Sequence, residues 1–389
     1  MKLSERMAGI GPNILLELED IKRARLTRGE PVINLSAGTP DLPPDNHVMT
    51  ALSDACLDPE NYKYAIADSP ALTDAAVQWY ARRFGVRLER DQVMSVYGSQ
   101  EGIAHIGFPL CNPGDTVLVP DPGYPIFSFG PFLAGATLVR MPLREANGYL
   151  IDFDAIDPVV AHAAKFMIVS YPSNPCTARA DAAFYERLVR FAKKYDIFVI
   201  HDNAYSELTL TGAPGMSFLQ VEGAVDIGME FNSLSKSYNL TGARISFALG
   251  NKDVIGAFRR FRSQIDYGPF PAVQKAAIAA LSGPQDILER NRREYRARRD
   301  ALSNGLREAG WPVPDCDSTM FTWYPLPPGY SDDVAFTFEL LEKTGVICVP
   351  GSSFGEMGTG YVRFALVQPT SVLTQAVRFI AESGMLNAR

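Results

Sequence analysis

The chain has 389 residues, room for two domains or one two-lobed unit, and 47% of it is apolar. That content supplies a core and excludes both a disordered tail protein and a disulfide-stapled miniprotein. Lys and Arg number 37 against 44 Asp and Glu, a formal charge of −7 with no basic run to offset it, which argues against a nucleic-acid surface.

The five cysteines lie far apart without a Cys-x-x-Cys pair, and the four histidines (His47, His105, His162 and His201) lack His-x-x-x-His spacing. No metal site is expected. The first 25 residues carry Glu5, Glu17, Glu19 and Asp20 and form no signal-peptide core. No apolar run reaches the ~18 residues of a membrane span. A cytoplasmic protein without membrane contact is therefore expected.

In chain order, the Gly/Pro-rich passage Ala37–Pro44 cannot be helical. Leu72–Phe84 is predicted as an amphipathic helix. An alternation follows: strand Val93–Tyr97, helix Glu101–Leu110, a turn at Asn112–Asp115, strand Thr116–Val119, strand Phe166–Ser170, helix Asp181–Tyr195, and strands Ile197–His201, Ile227–Phe231 and Ile245–Leu249. Short apolar strands separated by helices predict an α/β domain around a mostly parallel sheet. Asp286–Ala309 is predicted as a long helix whose arginines (Arg290, Arg292, Arg293, Arg296, Arg298 and Arg299) read as a solvated face rather than a binding patch. Strand Phe321–Leu326, helix Asp332–Thr344, strands Val346–Val349 and Tyr361–Leu366, and a last helix from Ser371 make a small α+β lobe.

Parallel α/β sheets bind ligands beyond the carboxyl ends of their strands. The residues there are Gly98-Ser99-Gln100 opening a helix, Asp121-Pro122-Gly123-Tyr124, Ser173-Asn174-Pro175, His201-Asp202-Asn203-Ala204-Tyr205 and Ser233-Leu234-Ser235-Lys236. Singly, each has an ordinary explanation: a Ser helix cap, a packed loop aromatic, an Asn-Pro turn, a capping Asp, and a hydrogen-bonded core residue for His201. Jointly they suit one chemistry. Lys236 between two serines, with Arg244 eight residues on, offers an amine and an anion cradle. Asp202 offers a carboxylate for a pyridine nitrogen. Schiff-base formation with pyridoxal 5′-phosphate needs these parts.

The sequence resembles the class I/II aminotransferases of fold type I, nearest to the branch of LL-diaminopimelate and alanine aminotransferases. The resemblance runs from Ile33–Asp41 through Gly98–His105, Asn112–Asp115, Val119–Pro125, His201–Tyr205 and Ser233–Asn239 to Val349–Gly355 and Tyr361–Leu366. It implies an aspartate aminotransferase-like α/β fold. A large cofactor domain (46–285) would hold a mostly parallel seven-stranded sheet between helices. A smaller α+β domain would be built from both chain ends, 1–45 as arm and part of that domain and 286–389 as the remainder.

By the same resemblance, Lys236 would form the Schiff base and act as the acid–base catalyst. Asp202 would pair with the pyridine nitrogen, and Tyr205 and Asn174 would bind the cofactor's phenolate oxygen. Tyr124 would stack on the ring. Ser99, Gln100, Ser233, Ser235 and Arg244 would surround the phosphate. Arg363 would clamp the substrate α-carboxylate with its planar fork, beside Asn174 and Gly38. A tyrosine from a partner subunit, Tyr62 or Tyr64 with Tyr64 preferred, would reach the phosphate, and Gln264–Phe270 resembles a loop that crosses to the neighbour. The implied assembly is a homodimer with shared active sites.

Three departures stand out. The usual Asn-Pro-Thr-Gly reads Asn174-Pro175-Cys176-Thr177, Gly-Trp-Arg reads Gly242-Ala243-Arg244, and the spacing after Tyr62/Tyr64 is altered. The implied reaction is ping-pong amino transfer between an L-amino acid (diaminopimelate, alanine or another small or dicarboxylic one) and a 2-oxo acid. A β-eliminating lyase on the same site is the alternative. A non-enzymatic cofactor-binding regulator is a remote one.

Overall fold

The computed structural model describes residues 3–4, 6–7 and 14–387. Its strands are β1 (Ile33–Asn34), β2 (Val93–Val96), β3 (Thr116–Asp121), β4 (Thr137–Pro142), β5 (Ala164–Val169), β6 (Phe198–Asp202), β7 (Gly228–Ser233), β8 (Ser246–Gly250), β9 (Phe321–Pro325), β10 (Val346–Ile347), β11 (Val349–Pro350) and β12 (Tyr361–Ala365).

Seven of them form one sheet in the order β2-β8-β7-β6-β5-β3-β4. All neighbours are parallel except those of β8, which runs against both β2 and β7. The β7–β8 connection is taken up by the short turns Leu234–Ser237 and Thr241–Ala243, so no crossover helix is available to bring the chain back parallel.

The central strands are apolar on both faces because both faces are covered. Leu118, Met167 and Val169 pack into one core with Trp79 and Leu188. Their alternates Val117, Val119, Phe166 and Ile168 pack into the other with Ile103 and Phe127. Strand periodicity of two thus divides each run between two helical layers. The edge strand β4 breaks the pattern. It is mostly half-exposed and carries Arg140, which is why its sequence lacks a continuous apolar signature.

The smaller lobe is a three-stranded antiparallel sheet, β11-β12-β9, beside a parallel β1–β10 pair. Ile33 and Leu35 from the N-terminal segment enter one core with Leu302, Trp311, Phe364 and Leu373 from the C-terminal segment. The single strand predicted over Val346–Val349 is in fact two short ones that change partner around Cys348.

The arginine-rich helix Asp286–Glu308 corrects the solvated-face reading. Arg298 is only 2% exposed and its guanidinium grips Asp41 through two bonds, Nη1–Oδ1 at 2.6 Å and Nη2–Oδ2 at 2.9 Å. Arg299 is also buried and donates to the Cys316 carbonyl. Half of a charged helix can face inward when its partners are supplied by distant segments, which no local pattern reports.

Candidate active site

The carboxyl ends of β2, β6 and β7, with the loops after β3 and β5, meet at a cavity of about 370 Å³. Its walls include Lys236, Asp202, Tyr205, Ser99, Gln100, Tyr124, Asn174, Ser233, Ser235, Arg244, Arg363 and Gly38. Twelve residues from eight separate stretches of sequence are thereby brought together. A larger open groove of about 790 Å³ runs between residues 42–47 and Arg290–Glu294, without a comparable convergence of buried charge.

Lys236 lies in the four-residue helical turn after β7, whose cap is the Ser233 side chain accepting from the Ser235 N–H. Its Nζ donates to the Gly38 carbonyl at 2.5 Å. Burial lowers its pKa to about 8, helped by the positive charges of Arg363 and Arg244 and opposed by Asp202. Asp202 ends β6. Its carboxyl is pushed up to about 7, first by burial and then by Glu230, with Lys236 pulling the other way. Asp202 Oδ1 is buried without a hydrogen-bond partner. A buried carboxylate oxygen in that state is costly, and a cationic N–H donor in the cavity would satisfy it.

Opposite lies an anion cradle. The helix Ser99–Leu110 begins at Gly98, which holds φ +96. Glu101 and Gly102 N–H both go to the Gly98 carbonyl, so the first two N–H groups, of Ser99 and Gln100, are not used by the helix. The Ser99 hydroxyl is buried and unpartnered. Arg244, itself in the left-handed region at φ 52, is fixed by Nη1 to Thr241 O and Nη2 to Tyr97 O, both at 3.1 Å. A Cβ on Gly98 would run into its guanidinium. Glycine is therefore required both by the backbone angle and by this close approach. Helix N–H groups, hydroxyls and a guanidinium form a phosphate site.

On the third side, Arg363 from β12 is 5% exposed. Its Nη1 donates to Asn174 Oδ1 at 2.8 Å and its Nη2 to Ser36 O at 2.9 Å, while Nε is buried and unpartnered. Its guanidinium carbon stands 4.1 Å above the Phe321 ring centre and 4.7 Å above that of Phe354. Burial lowers its pKa to about 10. Burial raises the Tyr205 phenol strongly, with Arg363 and a hydrogen bond from Asn174 opposing. Tyr124 Oη donates to Gln100 Oε1 at 3.0 Å. Gly38 sits against Phe321, whose Cζ would be 2.5 Å from an added Cβ.

The unpaired Asp202 and Ser99 oxygens and the cradle at Gly98 fit a phosphorylated pyridine aldehyde. Asp202 would face its ring nitrogen, Lys236 its aldehyde, Tyr205 and Asn174 its phenolate oxygen, Tyr124 its ring, and Ser99, Gln100, Ser233, Ser235 and Arg244 its phosphate.

Tyr64 is not part of this cavity. It is 83% exposed and packs edge-on against Tyr267, with ring centres 5.3 Å apart. Sequence reasoning gave no role to Phe321, Thr241 or Ile126, which also line the cavity. The Gly38 position was the available signal for Phe321, because a bare backbone implies a bulky neighbour. It also passed over Glu230, a carboxylate with no exposure in the middle of the sheet.

The family model described as aminotransferase class I and II matches residues 30–380. The chain is 43% identical over 379 residues to the LL-diaminopimelate aminotransferase of Moorella thermoacetica, covering 97% of each. It is 41% identical over 383 residues to the LL-diaminopimelate aminotransferase of Dehalococcoides mccartyi, covering 98% of each. Among solved structures it is similar to substrate-bound BacF from Bacillus subtilis, with a TM-score of 0.94, 36% identity and 98% of both chains covered.

Proposed function

The chain belongs to the class I and II aminotransferases, and we propose that its amino donor is LL-diaminopimelate or a close analogue. It is an enzyme that moves an amino group between an amino acid and a 2-oxo acid. Its cofactor is pyridoxal 5′-phosphate, which takes up the amino group and accepts electrons from the substrate Cα.

One observation carries the placement of the reaction: a buried guanidinium with a free Nε, Arg363, shares a cavity with a buried amine, Lys236. Arg363 receives the α-carboxylate and fixes the substrate by a planar fork. That orientation sets the Cα–H toward Lys236. With its pKa lowered to about 8, Lys236 Nζ has a far larger neutral fraction near neutral pH than an ordinary lysine, and in that form it takes the Cα proton as base. As acid it would then hand that proton back. Asp202 would hold a proton on the ring nitrogen of the bound cofactor. Phe321 and Tyr124 line the cavity on two sides.

The charged groups lining the cavity are Asp202, Lys236, Arg244 and Arg363. With Arg244 on the phosphate and Arg363 on the α-carboxylate, no cation among the described lining residues remains for a second carboxylate. A substrate whose far end carries both an ammonium and a carboxylate, and so no net charge, suits such a cavity better than aspartate or glutamate. The names of the two LL-diaminopimelate aminotransferase relatives point the same way.

A homodimer completes the site. Tyr62, Tyr64, Ile66, Ile265, Tyr267 and Phe270 are 36–83% exposed, and two ring pairs among them pack tilted or edge-on. An aromatic patch of this kind is characteristic of an interface, and Tyr64 from it is the residue assigned to the partner's phosphate. All five thiols are free, which fits the cytoplasm.

The test is stopped-flow spectroscopy of the holoenzyme with single amino acids. LL-diaminopimelate should convert the cofactor band to its amine form, and 2-oxoglutarate or pyruvate should restore it. Conversion by aspartate or alanine but not by LL-diaminopimelate overturns the substrate. Sedimentation should give twice the chain mass, and a monomer overturns the shared site.

A further inference from the structure

Glu230 is a carboxylate with no solvent exposure in a central strand, and it lies outside the cavity. Five donors converge on it. Tyr80 Oη (2.6 Å) and Asn203 Nδ2 (3.0 Å) give to Oε1. His201 Nδ1 (2.8 Å), Ser217 Oγ (3.0 Å) and the Phe218 N–H (3.0 Å) share Oε2. With five partners, both Glu230 oxygens are fully engaged in hydrogen bonds. They also assign the tautomer of His201, whose Nδ1 must carry hydrogen. Its Nε2 lies 3.1 Å from the Tyr171 carbonyl and 3.2 Å from Tyr185 Oη.

His201 and Glu230 are direct register partners in β6 and β7, and Asp202 follows His201. Two further bonds tie the same strand ends together: Asn203 N–H to Phe231 O at 2.8 Å and Asn232 Nδ2 to Asn203 O at 3.3 Å. Because strand residues alternate, His201 and Glu230 project to one face while Asp202 projects to the other. The bracing therefore sits directly behind the strand end that carries Asp202.

We propose that Glu230, braced against His201, is a positioning residue for Asp202: it pins the carboxyl end of β6 and adds negative potential that helps keep the cofactor's ring nitrogen protonated. This rests on the reading that Asp202 pairs with that nitrogen. The charge effect is visible on Asp202, where Glu230 is the second cause of its elevated proton affinity after burial, with Lys236 opposing. Other titratable groups facing the carboxylate are Tyr80, from the helix Pro70–Phe84, and Tyr185, from the helix Ala182–Tyr195. Both are buried and raised partly by Glu230, so they are uncharged donors rather than competing charges. Glu207 adds a smaller like charge at Tyr80.

The experiment uses holoenzyme reconstituted with ring-¹⁵N pyridoxal 5′-phosphate and reads two quantities, the ring ¹⁵N shift at fixed pH and the pH midpoint of the visible band. Glu230→Gln should move the ¹⁵N shift toward the unprotonated value and lower the midpoint by about 0.5–1.5 units, as removal of a nearby negative charge requires. His201→Gln removes the Nδ1 donor and leaves the charge less compensated, so the midpoint should rise. His201→Asn, which restores a donor near Nδ1, should bring it back. Tyr80→Phe removes another neutral donor and keeps the charge, so it should raise the midpoint as His201→Gln does, opposite in sign to Glu230→Gln.

A merely structural role would give shifts of one sign in every variant that loosens the fold, and that result overturns the proposal. If Glu230→Gln does not fold, an unchanged midpoint in His201→Gln overturns it equally. Asp202→Asn separates the two readings. If it leaves the ¹⁵N shift unchanged, the pairing of Asp202 itself fails. If it moves the shift while Glu230→Gln and His201→Gln do not, the pairing stands and the role of Glu230 is overturned.

Discussion

Arg363 Nη1 and Asn174 Oδ1 lie 2.8 Å apart although 189 residues separate them in sequence. The bond joins β12 of the smaller lobe to the turn after β5 of the larger sheet. It leaves Arg363 Nε unused, held between two aromatic rings. A guanidinium fixed in this way presents a fork with little left to order on binding.

Arg363→Lys should therefore damage substrate binding far more than cofactor binding. A point charge on a flexible stem replaces a fixed fork, and loss of a bidentate charged pair costs about 3 kcal/mol, roughly 100-fold in kcat/KM. Steady-state kinetics should show this loss, while the cofactor dissociation constant stays within about threefold of wild type (under ~1 kcal/mol).

Gly98→Ala addresses the opposite wall. The added methyl meets the Arg244 guanidinium at a backbone angle that side chains rarely adopt. Arg244 must leave its bonds to Tyr97 and Thr241, so cofactor affinity should fall at least about tenfold, equivalent to ~1.4 kcal/mol. Equilibrium dialysis of the apoprotein with pyridoxal 5′-phosphate measures it.

Asp202 gives the cofactor-free protein a distinctive pH dependence. Its carboxyl binds a proton more tightly folded, at about 7, than the ordinary carboxyl value of 3.8. The stabilisation from that proton is complete below about 4. It is lost as pH rises through the window up to about 7, because the native state must then hold a buried, unpaired charge. Urea titrations of the apoprotein should show stability declining over this window, and Asp202→Asn should remove that part of the decline.

Thr177 occupies the position where the family usually has Gly, at φ 59. Its N–H donates to the Ser173 carbonyl and its own carbonyl accepts from Ser318 Oγ, so the turn holds its shape without the glycine. A β-branched residue there costs about 1–2 kcal/mol, against about 1 kcal/mol of extra chain entropy for glycine. Thr177→Gly should stabilise the protein by about 0.5 kcal/mol in chemical denaturation and leave the placement of Asn174 intact.

Arg298→Met removes the two hydrogen bonds to Asp41, the one to Glu294 and the donor to the Leu366 carbonyl. Asp41 is 32% exposed and can rehydrate, so the cost should be about 2 kcal/mol rather than that of a fully buried broken pair. Asp41 follows the segment that carries Gly38 into the cavity, so KM should rise as well. Denaturation and kinetics on the same variant read the two effects.

Most of the residues that line the candidate site were legible in the sequence, because chemistry-bearing residues at strand ends are local features. The Lys236 turn, the Ser99 helix start and the Asp202–Tyr205 strand end are each contiguous and punctuated by Ser, Gly or Pro. The central strands were legible because a sheet covered on both faces demands unbroken apolar runs. β4 was not, since an edge strand with Arg140 in it has no such demand.

What only the tertiary structure decided depends on distant segments meeting. The inward half of the Asp286–Glu308 helix is set by Asp41, and the partner change around Cys348 by β1 and β12. The orientation of Arg363 is set by Asn174 and Phe321. Glu230 is the sharpest case: alone in its strand it reads as a charge in the wrong place, and only five donors from three other segments make its burial tolerable. Sequence determines which groups are present and the local turn each one makes. Packing determines which charges are desolvated and against what, and that sets the proton affinities of Lys236 and Asp202.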